Sequence, residues 1–362
     1  MKKISRYAKI SDMTRLAEYR DKSLRKSPRL KFLFIEMTNQ CNEHCRHCGS
    51  SCGEQNADGL LSGEEIKAFL KKTSEQFDVR DFQLCITGGE PLLREDFFDI
   101  MGYAHSLGYN WGMTDNGTLI DGKTAELLEK TGMRTISVSL DGLPETNDWF
   151  RRRPGGFDAA LNGVRELVKR GTFHHVQVTT VVHKRSLPEL PELYKLLKKE
   201  GLQSWRVINI EPIGRAKDDP ELMLDSGEYI KMFKFIRDNY NDPILPVTYG
   251  CSHYLGTSLE REVRKWYFLC NAGVYTASVM YNGDIGACLD IERRRELIQG
   301  NIRRDDFRDV WENRFEIFRN DFRKQGDCAE CPEYKFCAGG AFHTWNFDEN
   351  RQNVCFKGLL FR

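Results

Sequence analysis

The sequence predicts an α/β fold: a partial (β/α)6 TIM-like barrel followed by a small Cys-rich C-terminal domain with a β-hairpin. Three observations predict it. From Lys31 to about Ile210, runs rich in β-branched and aromatic residues alternate with amphipathic helical patterns, the rhythm of βα units around a parallel sheet. After Pro212 the rhythm stops, and most of the remaining cysteines lie beyond it. Asn282-Gly283, between two apolar runs, is a two-residue hairpin signal.

The strands expected in the first region are Phe32–Met37, Phe82–Thr87, Asn110–Thr114, Thr135–Leu140, Val176–Val182 and Trp205–Ile210. Between them Ser62–Phe77, Glu95–Leu107, Asp121–Lys130, Phe157–Arg170 and Leu187–Glu200 carry apolar residues at helical spacing. Most of these close on a glycine: Gly108, Gly132, Gly171 and Gly201. Right-handed crossovers curl such units into an open barrel whose chemistry sits on the loops after the strands. The expected division is an N-terminal extension at 1–30, the barrel at 31–212, a helical connection at 213–250 and the Cys-rich domain at 251–362. The connection holds a helix around Glu228–Tyr240. In the last part Val274–Tyr281 and Asp284–Cys288 flank the hairpin turn, and a helix near Phe307–Arg319 follows.

With 362 residues and 40% hydrophobic content the chain can bury a sizeable core. A formal net charge of +1 gives no global field for nucleic acid or an anionic membrane, and neither is expected as a partner. The Lys/Arg-rich start lacks the apolar core of a signal peptide, and no stretch reaches transmembrane length, so the expectation is a cytoplasmic protein. Twelve cysteines in a reducing compartment point to metal or redox chemistry rather than disulfides. They form an N-terminal group, Cys41, Cys45, Cys48 and Cys52, and a C-terminal group, Cys251, Cys270, Cys288, Cys328, Cys331, Cys337 and Cys355, with Cys85 between.

Cys41-Asn-Glu-His-Cys45-Arg-His-Cys48 follows the first expected strand, and three thiolates in so short a loop can face one metal centre. Zinc is the alternative to an iron–sulfur cluster, with His44, His47 or Cys52 as its fourth ligand. This loop resembles the CxxxCxxC signature of the radical S-adenosylmethionine superfamily. The resemblance implies a four-iron four-sulfur cluster whose open iron chelates S-adenosylmethionine, and reductive cleavage to a 5′-deoxyadenosyl radical that abstracts a substrate hydrogen. It also implies a reductant such as flavodoxin or ferredoxin. Gly88-Gly89-Glu90-Pro91 after strand two looks like the family's GGE turn, with backbone and Glu90 on the cosubstrate ammonium. Asn116 after strand three and Ser139 after strand four look like ribose or pocket positions. Arg151, beside Arg152 and Arg153, stands where related enzymes place an arginine on the cosubstrate carboxylate. His47 replaces an aromatic residue expected against the adenine.

The C-terminal cysteines resemble the SPASM extension of the same superfamily, which implies one or two auxiliary iron–sulfur clusters. Cys328, Cys331, Cys337 and Cys355 would make a complete outer set, with zinc as the alternative metal. The inner set retains Cys270 and Cys288, with Cys251 as a third candidate and His253 or Asp290 as candidate non-Cys ligands, because Ala341 replaces a cysteine of the pattern. Cys52 and Cys85 read as small buried residues. Asp290 is a candidate general base, or else a surface carboxylate beside Glu292. Glu211 and Arg215 are expected at the barrel mouth.

The leading functional expectation is a maturase that crosslinks or oxidises a side chain of a peptide or protein, the auxiliary clusters relaying an electron. About thirty residues precede strand one, too few for a leader-recognition domain. Either a separate leader-binding protein is needed, or the substrate carries no leader. The alternative is a small-molecule enzyme of the superfamily, a sugar dehydrogenase or a tetrapyrrole side-chain decarboxylase. A non-catalytic iron–sulfur or zinc protein is the rival from another class.

Overall fold

The computed structural model describes residues 4–53, 58–250 and 253–360. Apolar alternation builds the barrel in order: β1 Phe32–Glu36, α2 Gly63–Gln76, β2 Gln83–Thr87, α3 Phe97–Ser106, β3 Asn110–Asp115, α4 Gly122–Lys130 and β4 Met133–Ser139, preceded by α1 Arg6–Tyr19. Then come α5 Pro144–Arg151, α6 Gly156–Arg170, β5 His175–Val182, α7 Leu190–Leu197, β6 Ser204–Asn209, α8 Ser226–Asn239 and β7 Val247–Tyr249. On β1 and β2 the fully buried Leu33, Ile35, Leu84 and Ile86 join the core built with Phe69, Leu70, Phe97 and Ile100 of the helices. The alternate positions turn inward and mix Phe32, Phe34 and Cys85 with polar groups: Gln83 donates to Thr135 at 2.9 Å, and Arg206 donates to Thr179 at 3.0 Å.

The C-terminal hairpin belongs to the same sheet. β8 Thr276–Val279 runs parallel to β1, with Phe32 opposite Thr276 and Ile35 opposite Val279. β9 Asp284–Gly286 and β10 Gly300–Asn301 continue antiparallel, giving the ten-strand order β10-β9-β8-β1-β2-β3-β4-β5-β6-β7. The expected boundary at residue 251 is therefore no break in the sheet: the hairpin caps the edge that β1 would otherwise expose.

Several expectations need correction. The hairpin loop has three residues, not two: the Gly283 amide bonds the Met280 carbonyl at 2.9 Å, and Gly283 takes φ 87°. This is a type I turn closed by a left-handed glycine. The segment around Arg151, for which no helix was expected, forms α5, opened by Pro144 and ended by Arg152 in a left-handed conformation at φ 53°. The helix expected over Phe307–Arg319 breaks into Phe307–Asn313 and Glu316–Arg319. The N-terminal extension is helical and docks on the C-terminal region: Lys9 pairs with Glu262 at 2.7 Å, and Arg20 donates to the Lys335 carbonyl at 2.9 Å. Cys85 is only half-buried, on the inward face of β2 between Phe34 of β1 and Gly112 of β3, which contributes no side chain to cover it. Among the described residues no helix is long and apolar enough to cross a membrane.

Candidate active site and cluster-binding regions

The loop carrying Cys41, Cys45 and Cys48 leaves the C-terminal end of β1 and is held from three sides. The last turn of α5 presents free carbonyls, and two of them take loop amides: Arg46 donates to Phe150 at 2.9 Å and His44 to Arg151 at 3.3 Å. On the second side Arg215 donates to the carbonyls of Cys45 at 2.7 Å and Cys52 at 2.8 Å. Gly214 just before it has φ 52°, and a Cβ there would stand 2.2 Å from the Cys48 carbonyl oxygen, so only glycine lets this clamp close. On the third side the amides of Gly89 and Glu90 donate to the carbonyls of Thr38 and Gln40, each at 2.8 Å, and a Cβ on Gly89 would lie 1.9 Å from the Gln40 carbonyl oxygen. Sequence reasoning placed Arg215 at the barrel mouth without a task; the signal was the Gly-Arg pair directly after β6.

Cys45 is buried, Cys41 and Cys48 partly open. Burial pushes the Cys41 thiol up to about 12, while a hydrogen bond from Cys52, with the Arg215 guanidinium behind it, draws Cys48 down to about 5. Cys52 is buried, as read from the sequence, and sits against the Cys48 sulfur. Three thiols with unlike neighbours on one loop, one of them poised as thiolate, form a donor set suited to a thiolate-bound cluster.

The structure redirects several expected cosubstrate residues. Arg151 is buried with both arms engaged: Nη1 donates to Glu43 Oε2 at 2.6 Å and Nη2 reaches Asp141 Oδ2 at 2.7 Å. Its guanidinium fastens the Cys loop to the end of β4. Arg153 adds a bond to the Asn42 carbonyl at 2.9 Å. Glu90 is likewise turned inward, accepting from the amides of Leu92 at 3.0 Å and Asn116 at 3.1 Å. Burial, then the adjacent Asp115 carboxyl, raises Glu90 well above its ordinary value, and burial raises Asp115. Asn116 donates to Asn42 of the Cys loop at 2.7 Å and accepts from Thr118. Ser139 is half-buried at the end of β4. His47 stacks on Phe150 with ring centroids 4.3 Å apart and planes 3° from parallel, which leaves at most its other face for an adenine.

In the C-terminal region Cys328, Cys331, Cys337 and Cys355 line one cavity of about 440 Å³, together with His253, Tyr254 and Phe356. Burial pushes Cys337 up to about 12, with Cys355 adding to the rise and the Arg323 guanidinium opposing it. Among the described residues no three His, Cys, Asp or Glu side chains converge tightly enough to hold a single ion. All four thiols border that one cavity, and thiolates are the donors that iron–sulfur clusters take. Cys270 lines a narrower crevice with Arg323, Phe336 and Cys337. Buried Ala341 belongs to the apolar cluster against which Cys270 and Cys337 pack. Cys288 lies 3.9 Å from Asp290, which is exposed on a turn beyond β9. Cys251 lies outside the described residues. His253 is bonded to Glu211, whose Oε2 is buried without a hydrogen-bond partner among the described residues.

A model of the radical SAM superfamily matches residues 35–197, and one of an iron–sulfur cluster-binding domain, SPASM, matches 270–332. The chain is 35% identical over 297 residues to the Fe-coproporphyrin III synthase of Methanosarcina barkeri, covering 76% of this chain and 72% of that protein. It is 27% identical to the AdoMet-dependent heme synthase of Oleidesulfovibrio alaskensis, covering 86% and 83%, and 28% identical to the mycofactocin maturase of Mycobacterium tuberculosis, covering 84% and 76%. In fold it matches Streptococcus suis SuiB bound to S-adenosylmethionine with a TM-score of 0.71 at 19% identity, covering 91% of this chain and 77% of that one.

Proposed function

The chain belongs to the radical S-adenosylmethionine superfamily and carries its SPASM extension, and within that family we propose that it oxidises or crosslinks a side chain of a peptide or protein. The two domains carry a four-iron four-sulfur cluster that takes S-adenosylmethionine, and auxiliary iron–sulfur clusters. When bound, the cosubstrate and its cluster supply a 5′-deoxyadenosyl radical for hydrogen abstraction. In this reading Cys41, Cys45 and Cys48 hold that cluster, and Cys328, Cys331, Cys337 and Cys355 hold the outer auxiliary one. Gly88 and Gly89 bring backbone to the cosubstrate, and Arg151, Arg215 and Asn116 keep the Cys loop in place.

The observation that carries the substrate class is the polarity of the mouth. Its arginines are already engaged: Arg46 with Asp219 at 3.4 Å, Arg293 with Glu36 at 2.5 Å, and Arg153 with the Asn42 carbonyl. Glu211 offers a buried carboxylate oxygen with no partner among the described residues, an acceptor for a substrate that brings N–H or O–H donors, as a peptide does. The likeness to a mycofactocin maturase supports this reading. The second reading, a tetrapyrrole side-chain decarboxylase, is favoured by the 35% identity to an Fe-coproporphyrin III synthase.

The test is anaerobic incubation of the iron-loaded protein with reductant and S-adenosylmethionine, in parallel with short peptides encoded beside its gene and with iron-coproporphyrin. A mass change in a peptide together with 5′-deoxyadenosine supports the first reading. Consumption of iron-coproporphyrin alone replaces it with the second, and fully iron-loaded protein that forms no 5′-deoxyadenosine contradicts both.

A further inference from the structure

Cys337 stands between two spaces. On one side is the cavity of about 440 Å³ that it borders with Cys328, Cys331 and Cys355; on the other is a crevice of about 20 Å³ that it borders with Cys270 and Arg323. A space that small holds about one water, so no cluster fits between the guanidinium and these two thiols.

Arg323 is 3% exposed and keeps its charge, because a guanidinium does not deprotonate in a protein. Its Nη1 donates to the carbonyls of Gly340 at 2.7 Å and Gly339 at 3.3 Å, and the guanidinium lies over the Phe342 ring, 3.7 Å from its centre. Among the described residues no carboxylate bonds it. The other two arginines of the crevice are paired, Arg20 with Asp21 at 2.7 Å and Arg25 with Asp321 at 2.5 Å. The backbone is shaped to hold Arg323 in place: Ala338, Gly339 and Gly340 take left-handed φ of 50°, 79° and 75° directly after Cys337, and a Cβ on Gly339 would stand 2.9 Å from the Arg323 Cβ.

A buried charge is stable only beside an opposite charge or a metal centre. The anion that would balance Arg323 lies across Cys337, since a cluster held by four thiolates is negative overall and one-electron reduction adds a further negative charge. We propose that Arg323 is the internal counter-charge of the outer auxiliary cluster and, acting through Cys337, raises its reduction potential so that it accepts an electron more readily. The inference rests on the reading that Cys328, Cys331, Cys337 and Cys355 hold that cluster, and goes beyond it in assigning the charge that sets its potential.

Anaerobic redox titration of the iron-loaded holoenzyme, followed by electron paramagnetic resonance, tests it; the auxiliary signal is the one that S-adenosylmethionine leaves unchanged. Arg323→Gln keeps a donor for the Gly340 carbonyl but no charge. It should lower the reduced-to-oxidised ratio of this cluster at the wild-type midpoint at least tenfold, a negative shift of about 59 mV for one electron, whereas Arg323→Lys should stay within threefold of wild type. An unshifted midpoint in Arg323→Gln at full iron content would overturn the proposal. So would a lysine variant shifted as far as the glutamine one, since packing rather than charge would then be responsible. A second pair leaves Arg323 in place: Cys270→Asp sets a carboxylate beside the guanidinium and should move the midpoint in the same direction, while Cys270→Asn should not; equal midpoints in these two overturn the proposal. Failure of the cluster reading itself shows separately, as unmutated protein that takes up iron for the N-terminal cluster alone.

Discussion

Arg151 and Glu43 are 108 residues apart in sequence and 2.6 Å apart in the fold, and their bond joins the end of α5 to the middle of the Cys loop. Asp141 completes the bridge at 2.7 Å, and all three side chains are nearly excluded from solvent. Removing the guanidinium leaves two buried carboxylates without a counter-charge, a change that costs about 3–5 kcal/mol. Arg151→Met is therefore expected to lower the melting temperature and the iron retained at the N-terminal site, with Arg151→Lys intermediate because an ammonium cannot span both carboxylates in the same way. Thermal unfolding and iron content of anaerobically prepared protein are the readouts; wild-type values for the methionine variant would refute this role.

Gly89→Ala places a methyl group against the Gln40 carbonyl, where the Cys loop begins. Relief requires backbone movement, and overpacking of this kind costs about 1–3 kcal/mol. Cosubstrate affinity, measured by anaerobic titration, should fall severalfold or more, whereas Gly171→Ala, at a glycine with nothing within 4 Å of its added Cβ, should leave it unchanged.

Arg215→Ala removes two charge-assisted bonds to the loop carbonyls, each worth about 1.5–3 kcal/mol. The expected result is a cluster that forms but is lost faster to a chelator, followed by decay of its visible absorbance. Unaltered decay would mean that the clamp is dispensable.

Glu36, at the end of β1, accepts from the Tyr281 amide at 3.2 Å and from Arg293 at 2.5 Å, tying the barrel mouth to the hairpin loop. Arg293→Ala leaves this carboxylate buried and half-satisfied. Hydrogen exchange should accelerate in β8 and β9 while α3 and α4 keep their protection; uniform protection throughout would count against the tie.

The six barrel strands were legible because each pairs a local apolar run with a helix of clear period, and the Cys loop because its spacing is local. What stayed hidden was non-local. Nothing near Thr276 announces that β8 will lie parallel to Phe32, and nothing near Arg151 announces Glu43 or Asp141. The eight-residue α5 was missed because its apolar pair, Trp149 and Phe150, sits among five polar or charged neighbours and Pro144, too short a pattern to register as periodic. Arg215 was placed at the barrel mouth but given no task, since the carbonyls it binds belong to a loop about 165 residues earlier.

The central claim is that Cys41, Cys45 and Cys48 hold a cluster that cleaves S-adenosylmethionine, while the C-terminal set serves electron relay. Quantifying 5′-deoxyadenosine under anaerobic reduction for wild type, Cys45→Ala and Cys331→Ala tests it most directly. The account predicts none from Cys45→Ala, and continued cosubstrate cleavage from Cys331→Ala even where substrate turnover is impaired. Equal loss in both variants, with the N-terminal iron intact in Cys331→Ala, would contradict it.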